Sequence, residues 1–169
     1  PVLGPEMRST GEVLGMAGSY GMAFFKAQDA TKVPLPTKGT VLLSICERDR
    51  SDVVAVAAQR LSDLGFTLLA SEGTHAFLTE HDVASEAILK VHEGRPNIND
   101  AIKDGKIQLV VNTPSGKMSV TDDSYIRKTA IRHKVPYITT ITAALATVEG
   151  IASRLKGDYG VKALQDYHM

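Results

Sequence analysis

The sequence predicts an α/β protein built on a doubly wound, five-stranded parallel sheet. Between Gly39 and Leu155, short apolar or β-branched runs alternate with segments of helical periodicity, about five times in all. The strand runs are apolar almost throughout, as in strands that helices cover on both faces. This alternation favours parallel strands joined by right-handed crossovers. The chain has 169 residues, which is enough for one domain with a full core.

The segment before Gly39 shows a different pattern. Residues 1–18 are rich in glycine and proline, and the chain starts without Met, as expected of a fragment from a longer protein. Ser19 can cap a helix over residues 20–28, with one side formed by Tyr20, Ala23, Phe24 and Ala27. Two prolines within residues 31–38 favour an extended linker. We therefore divide the chain into residues 1–38 and a domain over 39–169.

The regular region begins with a strand, a helix and a second strand. Residues 40–46 form an apolar run, and Ser51 can cap the helix that follows. The apolar face of that helix consists of Val53, Val54, Ala57, Ala58, Leu61 and Leu64. Gly65 stands where a glycine commonly ends a helix, and residues 66–70 form the second strand.

The remaining elements continue this alternation. In chain order they are a turn at 71–74, a short helix ending near Asp82, a strand at 87–91, a short helix from Ile98 to Gly105, a strand at 107–112, a helix over 125–133, a strand at 135–139 and a helix over 141–155. The helix over 125–133 carries Tyr125, Ile126, Thr129, Ala130 and His133 on its inner side and Arg127, Lys128 and Arg132 on its outer side.

The bulk composition excludes several classes of partner. The chain has 19 basic and 19 acidic residues, and this balance argues against nucleic-acid and membrane surfaces. A single cysteine, Cys46, excludes an intrachain disulfide and suits the reducing cytoplasm. The five histidines lack metal-binding spacing, so we expect no metal site.

Polar residues follow three of the predicted strands. They lie at 46–50, 71–74 and 112–117, and Lys90 lies near the end of the third strand. In parallel sheets these carboxyl ends meet at one edge, where ligands bind. The groups are hydroxyls, an amide and cations, which predicts an anionic ligand such as a phosphate on a small molecule.

Several motifs resemble one enzyme family. Residues 3–13 (LGPEMRSTGEV) are similar to the end of the second ATP-grasp half of the carbamoyl phosphate synthetase large subunit, and residues 24–28 (FFKAQ) resemble the linker helix that follows it. Three further stretches resemble the C-terminal regulatory domain of this subunit. They are residues 90–96 (KVHEGRP), 109–113 (LVVNT) with Ser115 and Gly116, and 125–128 (YIRK) with Ala130. These motifs occur in order over nearly the whole chain.

The resemblance implies a methylglyoxal-synthase-like fold, a Rossmann-type three-layer sandwich, that acts as an allosteric domain. In bacterial members this domain binds UMP as inhibitor and IMP as activator, and ornithine activates nearby. The nucleotide-binding residues of the family correspond to Arg50, Ser71, Gly73, Thr74, Lys90, Asn112 and Thr113, with Arg50 replacing a lysine. The ornithine contacts correspond to Tyr137 and Thr139, and a further family threonine is Pro114 here.

The resemblance also implies the role of the parent protein. That parent is an ATP-dependent ligase, with Mg or Mn, which makes carbamoyl phosphate for arginine and pyrimidine biosynthesis. We expect the fragment itself to catalyse nothing and to hold no cofactor. Its partners would be a nucleotide effector, the rest of the large subunit and the glutaminase small subunit, with self-association through this domain as a further expectation. Residues 1–38 would transmit the effector's influence to the ATP-binding half.

The fold analogue offers an alternative, an enzyme that makes methylglyoxal from dihydroxyacetone phosphate. It uses an aspartate in a Gly-Gly-Asp turn after the fourth strand. Residues 114–118 read Pro-Ser-Gly-Lys-Met at this place, without a carboxylate. Because the base for proton abstraction is missing, the sequence disfavours this activity.

Overall fold

The structure is a computed structural model that describes residues 13–114, 120–157 and 160–167. Its strands are β1 (Thr40–Ser44), β2 (Thr67–Ser71), β3 (Glu86–Ile88), β4 (Leu109–Asn112) and β5 (Tyr137–Ile138). Its α-helices are α1 (Tyr20–Asp29), α2 (Asp52–Asp63), α3 (Glu72–Glu80), α4 (Ile98–Lys103), α5 (Val120–Arg132) and α6 (Ile141–Leu155). Short 3-10 helices occur at Glu47–Asp49, Val91–Glu93 and Leu164–Tyr167. The motif over residues 3–13 lies outside the described residues, except for Val13.

The five strands form one parallel sheet in the order β3-β2-β1-β4-β5. The chain therefore moves outward from β1 through β2 to β3, and then crosses back to β4 and β5 on the other side of β1. The predicted doubly wound sheet is confirmed. The direction of winding reverses between β1 and β4, and in open α/β sheets such a reversal opens a crevice at the carboxyl ends of the strands.

Helices cover both faces of the sheet. Successive strand residues point to opposite faces, so Val41 and Leu43 pack with α1, α2, α3 and α6, whereas Leu42 packs with α4 and α5. All three side chains are at most 4% exposed. Burial of such side chains stabilises the fold by about 1.5–3 kcal/mol each. The predicted three-layer sandwich is therefore present.

Helix α1 packs along α6 with a different face from the predicted one. Gly21, Met22 and Phe25 are its buried residues, whereas Tyr20 is 67% exposed. The two backbones approach closely, since a Cβ on Gly150 would lie 2.5 Å from the carbonyl oxygen of Gly21. Glycine gives no apolar periodicity, and the sequence pattern therefore placed the face on Tyr20, Ala23, Phe24 and Ala27. The Ser19 cap is confirmed, because its Oγ accepts a hydrogen bond from Met22 N at 3.3 Å.

The core continues across the proposed division of the chain. Met22, Phe25 and Leu35 belong to the same hydrophobic cluster as β1 and β2. Helix α1 thus shares its core with the sheet. The division into residues 1–38 and 39–169 stays a prediction.

Three other local predictions need correction. Val53 of α2 is 53% exposed and Ala55 is buried instead, so the buried face is turned from the predicted one. Ser51 occupies the N-cap position of α2 but makes no side-chain capping bond. His133, predicted on the inner side of α5, lies just beyond this helix and is exposed. It follows Arg132, and its ring nitrogen Nδ1 donates to Thr129 O at 2.9 Å.

The predicted turn at 71–74 is absent as a separate element. Ser71 is the last residue of β2, and Glu72 is the first residue of α3. The Ser-Glu-Gly-Thr motif is therefore the junction of strand and helix, with Gly73 and Thr74 in the first helical turn. This arrangement brings the amino end of α3 directly to the edge of the sheet.

Candidate functional site

The candidate site lies at the carboxyl ends of β1, β2 and β4, beside the winding reversal. The segment after β1, residues 45–50, crosses this edge between the start of α3 and the end of β4. Hydrogen bonds tie it to both neighbours, to Thr74 on one side and to Thr113 on the other. The sheet thus brings together the three polar strand ends that the sequence predicted to converge.

Thr74 joins α3 to the segment after β1. Its Oγ1 accepts a hydrogen bond from Ile45 N at 2.9 Å, lies 3.3 Å from Ile45 O and contacts Ser71 Oγ at 3.1 Å. Thr74 and Ser71 are buried, at 0% and 3% exposure. Both hydroxyls are therefore engaged within the protein. What this junction can offer a ligand is its backbone.

The amino end of α3 keeps its backbone donors uncapped. The first N–H groups of a helix have no partner within the helix, and they carry a partial positive charge. Ser71 occupies the N-cap position of α3, but its side chain makes no capping hydrogen bond. The helix is nine residues long. Such an end is a binding site for anions.

Arg50 places a second positive charge at the same point. Its Nε donates to Ile45 O at 3.1 Å, and its guanidinium lies against Gly73, where a Cβ would be 2.6 Å from Nη2. None of the described ion pairs involves Arg50. A cation beside the positive end of a helix is unfavourable unless an anion lies between them.

Thr113 fixes the other side of the same segment. Its Oγ1 accepts from Cys46 N at 2.9 Å, and the Cys46 thiol donates to Asp49 Oδ2 at 3.0 Å. This thiol is the main reason that the pKa of Asp49 is lowered, with opposition from burial and smaller contributions from Thr113 and Arg48. The segment is thus held in one shape on both sides.

Asn112 forms a separate hydrogen-bonded group with Asp123 of α5 and Tyr137 of β5. Its Nδ2 donates to Asp123 Oδ1 at 2.9 Å and to the Tyr137 hydroxyl oxygen at 2.7 Å. Burial raises the pKa of Tyr137, and the Asn112 hydrogen bond opposes this rise. The sequence did not identify Asp123, because it lies in a helix eleven residues after Asn112.

Ser44 is a further polar residue of this edge that the sequence did not single out. It ends β1 and pairs in register with Asn112 of β4, and it is only 8% exposed. The hint in the sequence was a serine within the otherwise apolar run over 40–46. Only the strand order shows that it faces the same row as Asn112.

Two predicted residues lie at the margins of the site. Lys90 follows β3 by two residues and is half-buried. Its described hydrogen bonds are made by its backbone: N donates to Glu93 Oε2 at 2.7 Å, and O accepts from Glu93 N at 3.2 Å. Thr139 follows β5 and is exposed. No hydrogen bond between either side chain and the other candidate residues is described. Residues 115–119 lie outside the described residues. They include most of the loop over 114–118, whose lack of a carboxylate disfavours methylglyoxal synthesis.

The described residues offer no alternative centre of metal or membrane chemistry. Within 13–114, 120–157 and 160–167, no three His, Cys, Asp or Glu residues gather as metal ligands. Across the same ranges, each helix is too short or too polar to span a bilayer.

The comparisons with known proteins agree on one family. Residues 53–139 match the MGS-like domain family. The carbamoyl phosphate synthase large chain of Archaeoglobus fulgidus is 43% identical over 168 residues, and that of Nostoc sp. is 48% identical over 166 residues. The carbamoyl phosphate synthase large chain, C-terminal section, of Methanopyrus kandleri is 47% identical over 169 residues.

The alignments cover nearly all of this chain but a small part of the relatives. They include 98–99% of the chain, and the chain spans 16%, 15% and 31% of the Archaeoglobus, Nostoc and Methanopyrus proteins. The matched family, the parallel five-stranded sheet and the nearly complete coverage of the chain by the alignments all support one assignment. The chain therefore belongs to the MGS-like domain family, and over nearly its whole length it is similar to a part of carbamoyl phosphate synthase large chains.

Proposed function

We propose that this domain is a regulatory module that binds a phosphorylated effector, of the UMP or IMP type, at the carboxyl edge of its sheet. The observation that carries the proposal is the uncapped amino end of α3 with the Arg50 guanidinium beside it. Two sources of positive charge lie side by side there, and Glu72, the acidic residue in the first turn of α3, forms none of the described ion pairs with Arg50. A phosphate would satisfy both.

The phosphate would be bound mainly by backbone and cations. The N–H groups of Gly73 and Thr74 would donate to its oxygens, and Arg50 would supply charge-assisted hydrogen bonds. Lys90 lies on the β3 side of the same edge and would add a point charge. The hydroxyls of Ser71 and Thr74 would serve chiefly to hold this junction in place, since they are buried and hydrogen-bonded.

The rest of the effector would extend over β1 and β4, where Ser44, Asn112 and Thr113 line the edge. Tyr137 and Thr139 would serve a second effector of the ornithine type, next to the first. Tyr137 contacts Asn112 directly. The two effector positions would thus share one hydrogen-bonded group.

Regulation requires that an effector binds two states of the parent unequally, with a coupling free energy of about 1–3 kcal/mol. The parent would be the cytoplasmic, ATP- and Mg- or Mn-dependent ligase that supplies carbamoyl phosphate for arginine and pyrimidine synthesis, with its glutaminase subunit as partner. The domain itself would perform no chemistry. Helix α1, which packs on α6, would connect the domain to the preceding part of the parent.

Calorimetric titration with UMP, IMP and inorganic phosphate tests this proposal. The Arg50→Gln variant should bind the nucleotide about 10- to 100-fold more weakly, because it loses charge-assisted hydrogen bonds worth roughly 1.5–3 kcal/mol. Arg60→Gln, on the exposed surface of α2, is the matched control and should bind normally. Absence of binding by the unaltered domain at millimolar concentration would refute the proposal.

A further inference from the structure

Asn112 is held so that only one kind of hydrogen bond remains for a ligand. A primary amide has two N–H donors and one carbonyl acceptor. Both donors are engaged, one by Asp123 Oδ1 at 2.9 Å and the other by the Tyr137 hydroxyl at 2.7 Å. No described residue donates to Asn112 Oδ1. The part of the Asn112 side chain that remains available to a ligand is therefore its carbonyl oxygen, which accepts hydrogen bonds.

Asp123 determines this orientation. A carboxylate only accepts hydrogen bonds, so Asn112 must present its NH₂ group, and not its oxygen, to Asp123. Tyr137 alone would not fix the amide, since a hydroxyl can donate or accept. Asn112 is 1% exposed, which confines its amide to this orientation or to the one turned by 180° in the same volume. The orientation of the Asn112 amide thus depends on Asp123. No described hydrogen bond joins Asp123 to Arg50 or to the start of α3, where the phosphate is proposed to bind.

We infer that Asp123 is a positioning residue that makes the β4–β5 end of the site an acceptor subsite. This inference rests on the proposed function. The subsite would bind a hydroxyl or ring N–H of the effector, and a phosphate would be disfavoured there because the partial negative charge of the Asn112 carbonyl oxygen repels it. Asn112 would therefore recognise the organic part of the ligand, whereas the phosphate lies near Arg50 and α3.

The Asp123→Asn variant distinguishes contacts to the organic part of the ligand from contacts to its phosphate. It keeps the shape of the side chain, but its NH₂ can donate to Asn112 Oδ1 and allow the Asn112 amide to turn over. Binding of UMP should weaken about tenfold, as for the loss of one hydrogen bond. Binding of inorganic phosphate should change less than about twofold, because its contacts are elsewhere. Asp63→Asn, whose carboxylate bonds Gln59 on the exposed side of α2, is the matched control.

The NMR signals of the Asn112 side-chain NH₂ provide a test without ligand. In the unaltered domain both hydrogens should be protected from exchange, and Asp123→Asn should remove this protection while the melting curve shows a folded protein. Parallel weakening of UMP and phosphate, or no weakening of either, would overturn the inference and leave the proposed function intact. Failure of the unaltered domain to bind either probe would overturn both.

Discussion

At the scale of single residues, a substitution at Gly73 should affect ligand binding and the stability of the fold in different ways. A methyl group at this position would lie 2.6 Å from Arg50 Nη2, so the guanidinium would have to move away from the start of α3. The helix itself would benefit, because alanine favours helix over glycine by up to about 1 kcal/mol. Gly73→Ala should therefore bind UMP and phosphate several-fold more weakly, at equal or higher stability.

Calorimetry and urea denaturation together check this prediction. Gly18→Ala is the control, since a Cβ there meets nothing within 4 Å. Unchanged binding of UMP and phosphate by Gly73→Ala would contradict the role assigned to the close approach of Arg50.

The hydroxyl of Thr74 should matter for folding more than its methyl group. Thr74→Val keeps the shape but leaves Ile45 N without its acceptor in a fully buried place. An unsatisfied buried donor costs about 1–3 kcal/mol. Urea denaturation should show a loss of this size for Thr74→Val and a smaller loss for Thr74→Ser, which retains the hydroxyl. Equal losses would contradict the role assigned to the hydroxyl.

His81 should make the domain more stable in mild acid than at about pH 8. Its pKa is raised, chiefly by the hydrogen bond from Nδ1 to the Phe77 carbonyl, against a smaller opposing effect of burial and with a contribution from Asp52. A raised pKa in the folded state means that the protonated form stabilises the fold. This contribution is fully present below the unfolded value of 6.5 and is lost as the pH rises through the folded value.

Melting temperatures across this pH range test the prediction. The unaltered domain should lose more stability than His81→Gln as the pH rises from about 6 to 8. The same pH dependence in both proteins would assign the titration to another group.

Sequence and structure agree on some single residues and differ on others, for physical reasons. Ser71, Thr74, Asn112 and Thr113 lie at the strand ends where the sequence placed them, because hydroxyls and amides after apolar strands stand out in the sequence, and their role in ligand binding stays a prediction. Their mutual engagement was not predictable, since it depends on distances across the sheet. Asp123 and Ser44 were missed because their importance comes from partners on other elements.

At the scale of the elements, the α1–α6 contact depends on two glycines. An alanine at position 150 would bring its methyl group within 2.5 Å of Gly21 O and 2.9 Å of Phe25 Cβ. Overpacking of this kind costs about 1–3 kcal/mol. The higher helix propensity of alanine offsets up to about 1 kcal/mol of that cost. Gly150→Ala should therefore be destabilised in urea, whereas Thr142→Ala, exposed on the same helix, should not.

A native or higher stability of Gly150→Ala would show that α1 can move away from α6 without cost. That outcome would also weaken its proposed part in transmitting effector binding. An increase of hydrogen exchange confined to α1 and residues 13–18 would instead support a local loosening of this contact.

Elements were predicted well where apolar periodicity is long, and less well where contacts are unusual. The final helix was predicted over its whole length, 141–155, whereas the face of α1 was wrong because it packs through Gly21. Strand β3 is shorter than predicted, at Glu86–Ile88, since it lies at the edge of the sheet and pairs on one side only. Edge strands carry weaker patterns because one side faces no partner.

At the scale of the whole molecule, the parallel, doubly wound architecture followed from alternation alone, since right-handed crossovers leave few arrangements, whereas the strand order β3-β2-β1-β4-β5 was not predicted. The sequence could also place the site at the carboxyl edge, because parallel strands end together there. The sequence could not show how the site is held. The hydroxyls of Thr74 and Thr113 accept hydrogen bonds from the segment after β1, and the proposed anion site depends on backbone donors, which have no side-chain signature, together with Arg50.

Ligand binding should therefore be visible in the stability of the entire domain. A ligand that binds only the folded state adds RT ln(1 + [L]/Kd), which is about 2.7 kcal/mol at one hundred times Kd. For a domain of this size each kcal/mol raises Tm by roughly 2–4 °C, so saturation with UMP should raise Tm by about 5–10 °C.

The rise in Tm caused by UMP should depend on which residue is substituted. Arg50→Gln and Lys90→Ala should reduce the shift at fixed UMP concentration, while Arg60→Gln should retain it. Phosphate should also raise Tm, but at higher concentration, because it fills only the position at the start of α3. If UMP raises Tm equally in Arg50→Gln and in the unaltered domain, the phosphate lies elsewhere. The uncapped end of α3 would then be an ordinary helix terminus exposed to water.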